Sequence, residues 1–172
     1  SRTPYNIGTA IDVCDFSPEE AQKLLPGLTA VYPERAEALL ARILHWTGGH
    51  PYLTQHLCLA VAQSEDARVD ALVDKHFLAD AARKEVNLQF VQDKLLDHPR
   101  CEALLRLYRR VHTGKDVEDE GQSLLHNYLK LVGLVKAEHG YLRVRNPIYA
   151  RVFDRAWIRE NLPSLPAPLF RM

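Results

Sequence analysis

Val135-Lys136-Ala137-Glu138-His139-Gly140-Tyr141-Leu142-Arg143-Val144-Arg145, followed by Asn146-Pro147, is the stretch that decides the fold. Two short runs with apolar residues at alternate positions meet at His139-Gly140, a pair suited to a tight turn, which predicts a β-hairpin. Leu142 and Val144 are expected on one face, Arg143 and Arg145 on the other. Asn146 is placed to cap, and Pro147 to open, a helix carrying Ile148, Val152, Phe153 and Trp157. Just upstream, Leu104, Leu107, Tyr108 and Val111 mark a helix over 100–111. A polar loop over 113–121 precedes a second helix over 122–132, with Leu125, Tyr128, Leu129 and Val132 on one face.

Helix, helix, hairpin, helix over residues 99–161 is the order expected of a winged-helix domain. N-terminal to it the period is helical throughout. Ser17-Pro18-Glu19-Glu20 combines a capping Ser, a Pro at the first position and a Glu three residues after the cap. That short helix is expected to end at Pro26-Gly27. Pro33 is read as opening a second helix with Ala36, Leu39, Leu40, Ile43 and Trp46 on its face, ended by Gly48-Gly49. Pro51 opens a third, with Leu53, Leu57, Ala60 and Val61. Val69, Leu72, Val73 and Phe77 predict a fourth, and Leu88, Val91, Leu95 and Leu96 a fifth. The predicted fold is therefore mainly α, a helical bundle over 17–98 followed by a winged helix with a small β-hairpin. Ile7, Ala10, Ile11 and Val13 suit a lone strand whose pairing partners are expected upstream of Ser1. Residues 162–172 are rich in Pro and read as a linker.

Composition limits the functions open to this chain. With 22 Lys plus Arg against 22 Asp plus Glu the net charge is zero, so no general field draws it to nucleic acid or an anionic membrane. No run approaches the ~20 apolar residues of a membrane span, and no signal peptide opens the chain, which predicts a cytoplasmic protein. Cys14, Cys58 and Cys101 lack partners at ligand spacing and are read as reduced, buried thiols. Met occurs once, at Met172, which fits a piece of a longer protein.

Chemistry is sparse. His45, His50 and His56 are not at the i, i+3 or i, i+4 spacing of helical metal ligands, and no metal is expected. Cys58 and His56 lie on opposite sides of a helix, so no nucleophile–base pair forms and no catalytic residue is assigned. Asp116 to Glu120 reads as a solvated connector. The phosphate loop G-x-x-x-x-G-K-[ST] is absent, because Gly114-Lys115 is followed by Asp116. Two features remain. Trp46-Thr47-Gly48-Gly49-His50-Pro51-Tyr52-Leu53 pairs glycines that admit close backbone approach with a Pro that starts a helix. The second helix of the winged-helix half would be the groove reader, yet it offers only Gln122, His126, Asn127 and Lys130. Lys136, Arg143 and Arg145 complete the candidate DNA or partner contacts, a thin cationic set.

Arg2-Thr3-Pro4-Tyr5-Asn6-Ile7-Gly8, Asp15-Phe16-Ser17-Pro18-Glu19-Glu20-Ala21, Trp46 to Gln55, Lys130 to Val135 and Arg143 to Phe153, in this order, resemble the second half of the AAA-like family of STAND-type P-loop NTPases. The resemblance runs from Arg2 to about Asn161. It implies that the first segment is the last strand of a nucleotide-binding core, that the bundle is a lid and that a winged helix follows. It also implies that Gly49 and Pro51 form the Gly-x-Pro element that packs against adenine, with ATP or ADP bound in the full-length protein and none by this piece alone. Upstream NTPase core and fused effector domains are the implied partners, with self-association open. A DNA-binding or transcription-control module, or a protein-binding adaptor, is the alternative.

Overall fold

A computed structural model describes residues 14–162; the strand expected over 6–13 and all but the first residue of the Pro-rich linker lie outside them. Ser17 starts the first helix as its sequence dictates: the Ser17 side chain accepts the Glu20 amide at 3.2 Å and the Glu20 carboxylate accepts the Ser17 amide at 2.8 Å. This helix, α1, covers Pro18–Gln22, and α2 follows over Leu25–Thr29. Pro26-Gly27 does not end a helix but lies in the first turn of α2, where a proline has no intrahelical amide bond to lose. Pro33 likewise sits in a turn, and α3 begins only at Ala36 (Ala36–Thr47).

Gly48 and Gly49, both left-handed at φ 59° and 82°, end α3, and α4 (Pro51–Gln63) leaves at once. The helix expected around Val69 to Phe77 is two pieces, α5 (Val69–Val73) and a π-helical turn over Asp74–Leu78, followed by a 3-10 turn over Asp80–Lys84. Next come α6 (Val86–Leu96), capped by the Glu85 side chain, α7 (Cys101–His112) and α8 (Leu124–Val132). The hairpin pairs β1 (Val135–Glu138) with β2 (Tyr141–Val144), Val135 opposite Val144, about a turn in which His139 and Gly140 both take positive φ.

Residues 116–120 are more than the solvated connector expected: Asp116, Glu118 and Glu120 are exposed, but the segment is fixed to the hairpin. Val117 is buried, its carbonyl accepts the Leu142 amide at 2.8 Å, Glu118 bridges Tyr141, and the Asp119 amide reaches the Gly140 carbonyl at 2.8 Å, so the loop lies along the hairpin as a third edge. The last helix also divides. α9 (Pro147–Val152) ends at Phe153, and Asp154 caps a new helix, α10 (Arg155–Asn161), which carries Trp157.

One continuous cluster of buried side chains runs from Leu28 to Ile158. Within it α3 packs on α2, α4 and α5, while α9 rests on α3 and on the π-helical turn; α6 contacts α7 and α8, and the hairpin backs onto α7 and α8. The burial pattern follows the sequence period: Leu39, Leu40 and Ile43 on α3, Leu53, Leu57 and Val61 on α4, Leu104, Leu107, Tyr108 and Val111 on α7. Cys58 and Cys101 are half-buried, but Cys14 is exposed. Among the described residues no helix is long and apolar enough to cross a membrane.

Candidate functional site

The turn from Thr47 to Pro51 is the point at which three parts of the chain meet. The Thr47 and Thr54 hydroxyls bond at 2.8 Å inside it, and the Gly49 amide donates to the Thr47 hydroxyl at 3.2 Å. A Cβ on Gly48 would lie 3.0 Å from the Arg145 carbonyl and 3.3 Å from the Asn146 Cβ; one on Gly49 would lie 3.1 Å from the Phe16 carbonyl. The Phe16 amide donates to the Gly49 carbonyl at 2.8 Å. Only glycines satisfy both the positive φ and this closeness of backbone to backbone.

His50 caps α4 from within that turn: its Nδ1 accepts the Leu53 amide at 3.3 Å, and its Nε2 lies 3.1 Å from the Tyr149 hydroxyl. Tyr149 donates in turn to Asn87 Oδ1 at 2.6 Å. Burial, then the nearby Arg145 charge, lowers His50 to about 4 against a partial opposing effect of Asp15, so the ring is neutral at physiological pH. A neutral ring that accepts at Nδ1 carries its proton on Nε2 and must donate to Tyr149. Burial also raises the Tyr149 hydroxyl well above its usual range, which keeps it a donor.

Arg145 does not face outward with Arg143. Its side chain is 11% exposed and turned onto Asp15, with Nε and Nη2 at 2.9 and 2.8 Å from Asp15 Oδ1. The other candidate cations are paired too. Lys130 meets Asp119 at 2.7 Å, Arg143 meets Asp116 at 3.1 Å, and Lys136 meets Glu138 at 3.5 Å. Gly49 is buried and Pro51 half-buried, at the three-way junction with Arg145; Lys136 and Arg143 belong to the hairpin and Lys130 to the last turn of α8.

Other chemistry-bearing groups are few. Burial raises the Cys58 thiol to about 11, which leaves it inert. Among the described residues no three or more His, Cys, Asp or Glu side chains converge as a metal site would require.

Residues 1–155 match the model of the AAA-like domain. The chain belongs to the AAA-like domain family. The AAA-like chain is also 34% identical over 181 residues to an uncharacterised WD repeat-containing protein of Synechocystis sp., a match that takes in 96% of this chain and 15% of that protein. It thus spans a small part of the length of that relative. No solved structure matches it.

Gly49 and Pro51 stand out in the sequence, but nothing in it marks Asp15, Asn87, Asn146 or Tyr149 as their surroundings. Asn87 and Tyr149 are 62 residues apart, and no local pattern signals that they will bond.

Proposed function

We propose that this AAA-like chain is the helical lid and winged-helix part of a STAND-type nucleotide switch, closing over ATP or ADP and passing nucleotide state to fused effector domains. Residues 17–98 would be the lid and 99–161 the winged helix. The single observation behind this reading is the turn Gly48 to Pro51, packed at once against the segment that enters the lid, at Phe16, and against the residues before α9, at Arg145 and Asn146. A ligand touching that turn touches the joint between all three.

The donor set favours a purine base over phosphate at this spot. His50 already occupies the Leu53 amide of the α4 N-terminus, and Pro51 has no amide to offer. A half-buried proline ring beside a glycine suits a flat, apolar-faced group. Gly49 and Pro51 would hold adenine, while the phosphates and any hydrolysis belong to an upstream core, so this chain supplies binding and orientation and no catalytic group. The family match supports a nucleotide-related role. The description of the Synechocystis relative suggests a WD-repeat array among the fused partners; a cytoplasmic location is part of the proposal. A DNA-reading module is the weaker alternative, because Lys130, Lys136, Arg143 and Arg145 are each engaged by a carboxylate.

In the full-length protein, Pro51→Ala is expected to weaken ADP and ATP about equally, by about five- to tenfold if ~50 Å² of apolar contact is lost. Calorimetric titration reads this directly. Unchanged affinity for both nucleotides overturns the assignment.

A further inference from the structure

We propose that His50 is a positioning residue that ties the seat of α9 to occupancy of the neighbouring base site: the bond chain from the Leu53 amide through His50 and Tyr149 to Asn87 makes the first turn of α4 and the start of α9 one mechanical unit. The inference rests on the reading of Gly49 and Pro51 as a purine contact.

The chain of bonds has one direction. Leu53 N–H donates to His50 Nδ1, Nε2–H donates to the Tyr149 hydroxyl oxygen, and the Tyr149 hydroxyl donates to Asn87 Oδ1. Each group has one role, so a shift of the His50 ring breaks the α4 cap and the α9 contact together. His50 and Tyr149 are 7% and 1% exposed, which leaves water little access to substitute for either bond. His50 also lies between Gly49 and Pro51 in sequence, so a base resting on those two residues immobilises the backbone that carries it. α9 joins the same place from the other side, through Gly48 against the Arg145 carbonyl and Asn146.

The α9 side is incompletely satisfied. Asn146 Oδ1 caps the Tyr149 amide at 2.9 Å, but Asn146 Nδ2 is buried without a hydrogen-bond partner. A buried donor left unpaired penalises the docked arrangement, so docking of α9 depends on the remaining bonds of the junction more than a fully satisfied helix would. His50 to Tyr149 is one of them. A base contact common to ADP and ATP biases this element by occupancy and not by phosphate count, since a ligand shifts an equilibrium only by its differential interaction. Discrimination between the two nucleotides is then left to other groups.

Amide hydrogen exchange on the full-length protein, with and without ADP or ATP, tests the coupling through α9. Saturating ADP or ATP is expected to slow exchange at residues 151–153 to a similar extent, by about tenfold, the order of one hydrogen bond's net contribution. In Tyr149→Phe that nucleotide-dependent slowing should fall below about twofold, while nucleotide affinity drops by no more than the factor lost, as reciprocity requires. A purely structural bond would speed exchange with and without nucleotide alike and leave the difference intact. If Tyr149→Phe fails to fold, His50→Asn, which keeps a capping side chain for the Leu53 amide but is too short to reach Tyr149, should give the same loss. Nucleotide binding with undiminished slowing in the variant overturns the coupling and leaves the base site standing. Absence of nucleotide binding by the wild-type protein overturns both.

Discussion

Arg145 and Asp15 stand 130 residues apart in the chain, yet two guanidinium nitrogens of Arg145 rest on a single oxygen of Asp15. The pair joins the segment entering the helical bundle to the residue between β2 and α9. At 11% and 26% side-chain exposure it is better shielded from water than Arg42–Asp70, Arg106–Glu102, Lys136–Glu138 or Arg143–Asp116, so solvent weakens it less. Gly133 makes room for it. The end of α8 turns left-handed there, at φ 86°, and a Cβ on Gly133 would lie 2.6 Å from Arg145 Nη1.

Gly133→Ala is therefore expected to destabilise the chain twice over, through the positive φ and by pushing Arg145 off Asp15. Gly114 separates the two effects: its φ is 80° and an added Cβ would meet nothing within 4 Å. Gly114→Ala should cost about 1 kcal/mol from backbone conformation, and Gly133→Ala about 1–2 kcal/mol more. Urea unfolding of both variants measures the gap; equal losses would mean that Arg145 swings aside freely.

Acid should loosen the junction through His50. Above its ordinary value of 6.5 the ring is neutral folded and unfolded alike. Between there and about 4 the unfolded chain takes up a proton that the folded chain refuses, so stability falls as pH falls, by up to about 3 kcal/mol once pH is below both values. His76, also lowered by burial and by His56, acts in the same direction. His50→Asn, which keeps a capping side chain, isolates the His50 share: unfolding midpoints from pH 7 to 4 should flatten in that variant. A slope matching the wild type would assign the acid sensitivity elsewhere.

Duplex DNA should not bind with a steep salt dependence. Phosphate contact would require Lys130, Arg143 and Arg145 to leave Asp119, Asp116 and Asp15. Anisotropy titrations at low salt are expected to show no retention by the wild type. Asp116→Asn combined with Asp119→Asn, which releases Arg143 and Lys130, should raise it. Tight binding by the wild type would favour the DNA-reading alternative.

Much of the architecture was legible because its causes are local. Ser17 with Glu20, Gly48-Gly49 before Pro51, His139-Gly140 between alternating residues and Asn146 before Pro147 each act over three or four residues, and each stands where the pattern put it. The misreadings have local causes as well. Pro26 and Pro33 fall on the opposite sides of a helix boundary from those expected, because a proline is tolerated both in a first turn and in the loop before it. Asp154, read as part of one long helix, caps a second one because its side chain accepts the Trp157 amide at 2.9 Å.

The helical class, the hairpin and the prominence of Gly49 and Pro51 follow from short-range pattern alone, since period, cap and turn chemistry are properties of neighbours. What surrounds that turn depends on long-range packing. His50 on Tyr149 is a contact over 99 residues and Arg145 on Asp15 one over 130; such pairs form because packing of a shared core brings distant segments together. The same packing turns Arg145 onto Asp15, where alternation along a strand points it to solvent, because strand geometry ends at Val144 and a half-buried carboxylate lies beyond it.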